Sequence, residues 1–268
     1  MAFNIIVCAK QVPDTNEIRI NPETGTLIRD GVPSILNNDD NNALETALEI
    51  KDKYDDVVVS VISMGPPQAQ DMLFECVAKG ADRGILISDR AVGGSDTWAT
   101  SNAIEAGIKK FEKEFGKVNL ILAGRQAIDG DTAQVGPQIA EKFGLPQVTY
   151  VEEFKISDDL KTVNVHRQME DGYEEIEVKT PCMLTCIKEL NDPRYMNMKG
   201  IFGEKEIIIW NAKDIEVDLN KVGLEASPTN VFRSFTPAPK GKGEILEGDT
   251  ENQIAQKLMI GLKGKHVI

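Results

Sequence analysis

The sequence predicts an α/β protein whose mostly parallel sheet carries helices on both faces and added antiparallel strands at one edge. Three observations support this prediction. Up to about residue 145, short apolar runs rich in β-branched residues alternate with helical patterns. These runs are almost continuously apolar, which is typical of parallel strands buried on both faces. After Pro146, strand-like runs follow one another with few helical signals.

The first half begins with a predicted buried strand, FNIIVCA (3–9). Residues 10–36 alternate loosely and carry turn signals, so we expect a hairpin excursion there. Asn37 to Asp40 supply possible caps for a helix with an apolar stripe at helical spacing. The stripe consists of Ala43, Leu44, Ala47, Leu48 and Ile50.

The alternation then continues to the end of this half. The predicted elements are strand 56–63, helix 68–79 with Gly80 as its C-cap, strand 83–88, helix 96–115, strand 118–124 and helix 131–143. Ala99, Ala103, Ile104, Gly107, Ile108 and Phe111 form the inward stripe of helix 96–115. Val135, Ile139 and Phe143 form that of helix 131–143.

The second half contains four strand-like runs, QVTYVEEFKI, KTVNVHRQ, YEEIEVKT and PCMLTCIK, which we interpret as the antiparallel strands at the sheet edge. EIIIW is a further short strand. Residues 226–243 are rich in Pro, Ser and Thr and cannot build a core of their own. An amphipathic helix is expected over 250–263. If this tail is ordered it needs another surface, which suggests a subunit partner, and the alternative is a disordered tail.

Composition limits the function. A formal net charge of −13 in 268 residues argues against non-specific nucleic-acid binding, because a polyanion would be repelled. The sequence has no apolar segment long enough for a membrane span and no signal-peptide pattern, so we expect a cytoplasmic protein. Cys182 and Cys186 share one face of a predicted strand, and buried thiols are favoured there over a disulfide.

The loop AGRQAIDGDTAQVG (123–136) joins a predicted strand to a helix and carries two acids, Asp129 and Asp131. Asp129-Gly130-Asp131 matches the start of a calcium loop. The match fails at Ala133, where an oxygen ligand is needed, at Gln134, where glycine is needed, and at Ala140, where a bidentate Glu is needed. The pattern therefore does not support a metal site.

A nucleotide site is the second interpretation of this loop. Open α/β sheets bind ligands at the carboxyl ends of strands, and the free N–H groups of a helix start suit phosphate. Asp129 or Asp131 can cap the helix, Thr132 and Gln134 offer neutral hydrogen bonds, and Arg125 supplies a cation. Neither GxGxxG nor a P-loop is present. The pattern alone leaves a nucleotide site and a merely capped helix equally open.

A second loop of the same kind, DRAVGGSDTWATS (89–101), favours the nucleotide site. Gly93-Gly94 allows close backbone approach, Ser95 or Asp96 can cap the following helix, and Thr97 and Thr100 add hydroxyls. With SMGPP (63–67) and VCAKQVP (7–13) at two other strand ends, the loops predict one crevice for a large phosphorylated ligand. Lys10 and Arg125 are the expected cations of this crevice.

Five segments carry a family resemblance along nearly the whole chain: VCAKQVPDT (7–15), SMGPPQAQ (63–70), GADR (80–83), residues 123–151 and KELNDPRYM (188–196). Together they resemble the electron transfer flavoprotein β subunit. The resemblance implies a Rossmann-like sheet in a nucleotide-binding domain at 1–219. It also implies a C-terminal arm at 220–268 that packs on an FAD-binding α subunit in an αβ heterodimer.

The resemblance also implies the ligand. In the ordinary type the β subunit holds AMP structurally, and in the electron-bifurcating type it holds FAD; the GSDTWATS segment (94–101) resembles the second type and favours FAD. The implied cofactor-binding residues lie at the strand ends and helix starts. They are Cys8, Ala9, Lys10, Asn37, Asp40, Met64, Gly94, Asp96, Thr97, Thr100, Gly124, Arg125, Gln126, Ala127, Asp129, Gly130, Asp131, Thr132, Gln134 and Val135.

The implied activity is electron transfer without catalytic side chains. NADH gives a hydride to the flavin, and the electrons leave singly. One goes to the FAD of the α subunit and on to an acyl-CoA dehydrogenase-like or related enzyme, and the other goes to ferredoxin or flavodoxin. Segment 188–201 resembles the loop that docks the dehydrogenase. Its expected contacts are Tyr195, Met196, Met198 and Ile201.

Overall fold

The apolar runs form a nine-stranded sheet with helices on both faces in a computed structural model, which describes residues 2–14, 33–232 and 241–268. The strands are β1 (Phe3–Cys8), β2 (Gln11–Pro13), β3 (Ser34–Leu36), β4 (Val57–Met64), β5 (Arg83–Ile87), β6 (Val118–Gly124), β7 (Gln147–Ile156), β8 (Thr162–Met169), β9 (Gly172–Lys179), β10 (Cys182–Cys186) and β11 (Glu206–Trp210). The helices are α1 (Asn38–Lys53), α2 (Ala69–Lys79), α3 (Thr97–Phe115), α4 (Val135–Phe143), α5 (Met198–Phe202) and α6 (Glu251–Gly264).

The strand order of the large sheet is β11-β5-β4-β1-β6-β10-β7-β8-β9. β1 is central and pairs in parallel with β4 on one side and β6 on the other, so Cys8 lies beside both Ile62 and Ala123. The chain runs outward from β1 through β4 and β5, and then returns to β6. The strand order therefore reverses between β1 and β6, and sheets of this kind bind ligands in the crevice at the carboxyl ends of the two strands where the order reverses.

Two separate apolar clusters confirm the prediction of helices on both faces. One cluster packs α1 and α2 on the sheet through residues such as Leu44, Leu48 and Leu73. The other packs α3 and α4 through residues such as Ile108 and Ile139, which are both fully buried. The predicted stripes of α1 and α3 are buried as expected.

The antiparallel extension differs from the prediction in one strand. β7, β8 and β9 form an antiparallel meander at the edge, as predicted. The fourth run instead becomes β10, which is inserted between β6 and β7 and is parallel to both. All five residues of β10 are buried, so the run has the near-continuous apolar pattern of a central strand.

The structure also bears on three smaller predictions, which concern the start of α4, the hairpin and the cysteines. α4 begins at Val135 rather than at residue 131, because Asp131 and Ala133 take left-handed backbone conformations (φ 51° and 52°) that no helix accepts. β2 and β3 pair as the two ends of the predicted hairpin, whose middle lies outside the described residues. All four cysteines are buried free thiols.

The described chain divides into two units, one of residues 2–14 and 33–232 and one of residues 241–268. The second unit contains α6, which starts at the N-cap Thr250, and its hydroxyl accepts a hydrogen bond from Gln253 N. Ile254, Leu258 and Ile260 are exposed on this helix. Residues 233–240 of the predicted tail are outside the described part. None of the described helices combines the length and the apolarity needed to cross a bilayer.

Candidate functional site

The first turn of α1 closes the floor of the crevice between β1 and β6. The Asp40 carboxylate is almost completely buried and accepts two backbone hydrogen bonds, from Lys10 N at 2.8 Å and from Gly124 N at 2.9 Å. One bond comes from the chain that leaves β1 and the other from the end of β6. Burial raises the pKa of Asp40 to about 7, although the two N–H groups and Asn37 oppose that rise.

Asn37 precedes α1 and ties the same helix to the next loop. Its side chain is fully buried, donates to Gln126 O at 2.9 Å and accepts from Ile128 N at 3.1 Å. Its side chain makes no cap hydrogen bond to α1, although Asn37 was one of the four residues offered as possible caps. Asn37 is therefore a side-chain clamp on the loop that follows β6.

The loop between β6 and α4 turns its two acids onto neighbouring side chains. Asp129 pairs with Lys10 Nζ at 2.6 Å, and its side chain is 10% exposed. Asp131 accepts a hydrogen bond from Gln126 Nε2 at 2.7 Å. The prediction that one of these acids caps α4 is wrong, because α4 begins after Gln134 without a side-chain cap.

The start of α4 is consequently open and carries no acidic residue in its first turn. Its first N–H groups have no partner within the helix, and they bear partial positive charge. The backbone before it is left-handed at Asp131 and Ala133, a strained conformation that clusters at ligand sites. Gly130 has open space where a side chain would stand.

The guanidinium of Arg125, one of the two predicted cations, lies beside protein groups. Its Nε lies 3.5 Å from Asp39 Oδ2, and its guanidinium lies 5.6 Å from the centre of the Tyr150 ring. Its backbone N–H donates to Cys186 O at 2.8 Å, which joins the loop to β10. Lys10 is likewise paired, so each of the two expected cations lies beside a carboxylate.

The loop before α3 meets the loop before α4 through three polar side chains. Thr97 Oγ1 donates to Gln134 Oε1 at 2.8 Å, and Gln138 Nε2 lies 3.4 Å from Thr97 Oγ1. Gln138 Oε1 is buried and has no hydrogen-bond partner within the described residues. The two helix starts therefore form one polar wall, as predicted, and Gln138 was missed although it follows Gln134 by one helical turn.

Both carboxylate oxygens of Asp96 accept hydrogen bonds from backbone N–H groups of the protein itself. One carboxylate oxygen caps α3 by accepting from Ala99 N at 2.9 Å, and the other accepts from Thr229 N at 3.0 Å. Asp96 N donates to the buried Ser227 hydroxyl at 2.9 Å. Gly94 has a positive φ of 73° and lies against Leu224. Residues 223–229 thus contact this loop, an arrangement that local sequence does not reveal, while Gly93 and Gly94 remain exposed.

The remaining predicted residues lie at or near the same edge of the sheet. Cys8 is buried beneath the crevice, and burial raises the pKa of its thiol to about 12. Ala9 N donates to Ile62 O at 2.9 Å, and Met64 ends β4 beside Val92 and Val222. Thr100 lies in the first turn of α3. In the loop between β6 and α4, the Ala127 carbonyl accepts hydrogen bonds from Gly130 N and Asp131 N, which forms a turn.

The predicted docking residues form an exposed apolar cluster. Tyr195 is 93% exposed, Met198 68% and Ile201 41%, and Phe202, which was not predicted, is 79% exposed. Met196 is also exposed. Monomeric proteins seldom expose contiguous apolar side chains of this size without an interaction partner.

The crevice meets the requirements of a phosphorylated nucleotide. It offers an open helix start without an acid, space at Gly130, a hydroxyl at Thr97 and an unpartnered buried carbonyl at Gln138. The phosphate groups of a nucleotide suit the open helix start, and its hydroxyl or amino groups can donate hydrogen bonds to the Gln138 carbonyl.

Comparisons with a protein-family model and with individual known proteins all point to the same family. The model of the electron transfer flavoprotein domain matches residues 24–215. The chain is 62% identical to the caffeyl-CoA reductase-Etf complex subunit CarD of Acetobacterium woodii, over 99% of this chain and 100% of that protein. It is 55% identical to the electron transfer flavoprotein subunit beta of Clostridium acetobutylicum, with the same coverage. Identity to the acryloyl-CoA reductase electron transfer subunit gamma of Anaerotignum propionicum is 48%, again over 99% of this chain and 100% of that protein.

Proposed function

Because the chain belongs to the electron transfer flavoprotein family and aligns along nearly its whole length with β subunits, we propose that it holds FAD in the crevice between β1 and β6. In this role it is the NADH-oxidising half of an electron-bifurcating complex. FAD, when bound, supplies the chemistry of accepting a hydride and releasing single electrons. The protein binds and orients it.

The observation that carries the proposal is the hydrogen bond between Thr97 and Gln134, at 2.8 Å. It joins the starts of α3 and α4 into one wall, in which the start of α4 has no side-chain cap and no acidic residue in its first turn. The wall joins the uncapped start of α4 to the hydroxyl of Thr97 at the start of α3, so it offers hydrogen bonds to a ligand that extends beyond one phosphate group, which supports a dinucleotide over a mononucleotide. The relatives named as subunits of caffeyl-CoA and acryloyl-CoA reductase complexes support the same assignment.

The side chains around the crevice have distinct tasks in this proposal. Lys10 neutralises Asp129, so the acid does not repel a phosphate group at the adjacent helix start. Asn37 and Asp40 hold the loop after β6 in place through its backbone. Gln138 offers its unpartnered carbonyl to a donor on the ligand. These residues bind and orient, and none of them transfers electrons.

Partners follow from two exposed apolar surfaces. We assign α6 and the chain before it to an FAD-binding α subunit, since Ile254, Leu258 and Ile260 of this helix are exposed in the described part of the chain. The cluster Tyr195–Phe202 is assigned to an acyl-CoA dehydrogenase-like or related reductase. Ferredoxin or flavodoxin takes the second electron. The four free thiols agree with a reducing compartment, and we propose the cytoplasm.

The deciding experiment is a cofactor count on the αβ complex purified from co-expressed subunits. The bound nucleotides are released by denaturation, separated and quantified. Two FAD per heterodimer and flavin bleaching by NADH are expected. One FAD and one AMP per heterodimer contradict FAD binding in this subunit and indicate the structural AMP role. Turnover of ATP by the β subunit alone contradicts the family role itself.

A further inference from the structure

Arg194, just before the exposed apolar cluster, is bound to α1 through both its backbone and its side chain. Its N–H donates to Glu45 Oε2 at 2.9 Å, its Nε reaches the same oxygen at 2.9 Å, and its Nη2 donates to Glu45 Oε1 at 2.8 Å. Nη2 also donates to Asp52 Oδ2 at 2.8 Å. Hydrogen bonding to Glu45 raises the pKa of Arg194 further above its ordinary value.

The geometry of this contact needs an arginine. A guanidinium presents a planar fork that matches both oxygens of one carboxylate, whereas a lysine ammonium is a point charge. The Glu45 side chain is only 7% exposed, and both of its carboxylate oxygens accept hydrogen bonds from Arg194. Such an arrangement restricts the backbone on either side of the arginine, because the peptide N–H is part of the same contact.

Two further contacts hold the surrounding chain, which we call the docking segment (residues 191–202). Asn191 exchanges side-chain and backbone hydrogen bonds with Asn42 and donates to Thr46 Oγ1 at 2.9 Å. At the other end, Gly200 packs so closely on Ala78 that a β-carbon would overlap the Ala78 carbonyl oxygen. The exposed apolar side chains therefore stand on a backbone fixed at both ends.

The helix that holds Arg194 also closes the crevice. Asp40 and Glu45 are five residues apart on α1, which is about 8 Å along the helix axis. The crevice floor and the docking segment are thus attached to one rigid element.

We propose that Arg194 is a positioning residue, which fixes the docking segment on α1 and thereby pre-forms the surface that receives the redox partner. This inference rests on the proposed function for the identity of the partner, and on the contacts alone for the ordering of the segment. A pre-formed surface binds more tightly because less conformational entropy is lost on association.

The ordering is tested by hydrogen–deuterium exchange on the αβ complex carrying Arg194→Lys, Arg194→Gln or Glu45→Gln. The amides of residues 195–203 are expected to exchange about tenfold faster in each variant, while those of the central strands are unchanged. Lys53→Gln is the control, since it removes one charge from an exposed position of the same helix. The double variant Arg194→Gln/Glu45→Gln removes both charges and so guards against misfolding caused by an unpaired buried carboxylate.

The functional part is tested by electron transfer to the caffeyl-CoA reductase component of the Acetobacterium woodii complex, used as the acceptor. The KM for this acceptor is expected to rise about tenfold in the Arg194 variants, with kcat and FAD content unchanged. Unchanged exchange at 195–203 overturns the inference, and so does faster exchange with an unchanged KM. Failure of the wild-type complex to reduce the acceptor contradicts the partner assignment instead, and the exchange result still decides the ordering role.

Discussion

The Asp40 carboxylate accepts a hydrogen bond from the backbone N–H of Gly124 across 84 residues of sequence, at 2.9 Å. This contact brings the start of α1 against the end of β6 so closely that a β-carbon at position 124 would overlap Asp40. The glycine is therefore needed for packing within the protein, whatever the ligand. Four predictions concern this contact and its neighbours.

Gly124→Ala is expected to lower the free energy of unfolding by about 1–3 kcal/mol, since the new methyl group displaces a backbone contact in a packed site. Urea denaturation of the purified chain measures the change. Gly130→Ala is the matched control, because no atom lies within 4 Å of its added β-carbon, and we expect a change below about 0.5 kcal/mol. Equal stability of the two variants contradicts the packing role.

Asp40 gives the stability a pH dependence. Its folded pKa is raised from 3.8 to about 7, so the folded protein binds more protons than the unfolded chain between these values. Stability from this group is therefore complete below about pH 4 and falls as pH rises to 7, by up to about 4 kcal/mol. Asp40→Asn cannot ionise and lacks this dependence.

The measurement compares urea unfolding of wild type and Asp40→Asn from pH 4 to 8. Between pH 4 and about pH 7 the wild type should lose stability relative to Asp40→Asn, so the difference between their unfolding free energies should change steadily. Above about pH 7 this difference should stay constant. Asp56→Asn, at an exposed position, controls for the general loss of a carboxylate. A difference that is constant over the whole range argues against a raised pKa at Asp40.

Lys10→Gln is expected to weaken nucleotide retention about three- to tenfold, because Asp129 is then left as an uncompensated carboxylate beside the open start of α4. The nucleotide content per complex after gel filtration reports the effect. Asp129→Asn should weaken retention less, since it frees Lys10 for a phosphate group. Lys161→Gln, which removes an exposed pair with Asp159, serves as the control. A larger loss with Asp129→Asn than with Lys10→Gln reverses the assigned roles.

Thr97→Val removes the hydroxyl that joins the starts of α3 and α4, and we expect a several-fold loss of FAD from the β subunit while the FAD of the α subunit stays bound. Thr97→Ser keeps the hydroxyl and should retain wild-type content. Flavin absorbance of the desalted complex measures both variants. If the valine variant retains as much FAD as the serine variant, the hydrogen bond of Thr97 is not needed for retention.

The sequence predicts the parallel half of the fold well, because local patterns are sufficient there. The apolar runs of β1, β4, β5 and β6 and the stripes of α1 and α3 each mark an element by its own residues. The position of β10 was not predictable in this way. Its buried pattern identifies a central strand, but no local signal says that it returns past β7 to pair with β6.

The candidate site shows the same limit at the level of side chains. The clustering of strand ends at one edge follows from the parallel sheet, and the two predicted loops meet there through Thr97 and Gln134, a pair that the sequence did not indicate. The partners of Asp129 and Asp96 could not be inferred, since Lys10 is 119 residues from Asp129 and Thr229 is 133 residues from Asp96. An acid near a helix start suggests a cap. Asp129 instead pairs with Lys10, and these two residues come together only in the folded chain.

The late return of β10 has a consequence for synthesis of the chain on the ribosome. β6 and β7 are both complete before residues 182–186 emerge, yet neither can pair with the other in the native sheet, because β10 lies between them. The nascent chain therefore carries two open strand edges while β8 and β9 are translated, and such edges are templates for wrong pairing. β10 is thus the last strand needed to complete the centre of the sheet. A chain that stops before Cys182 leaves the facing edges of β6 and β7 unpaired.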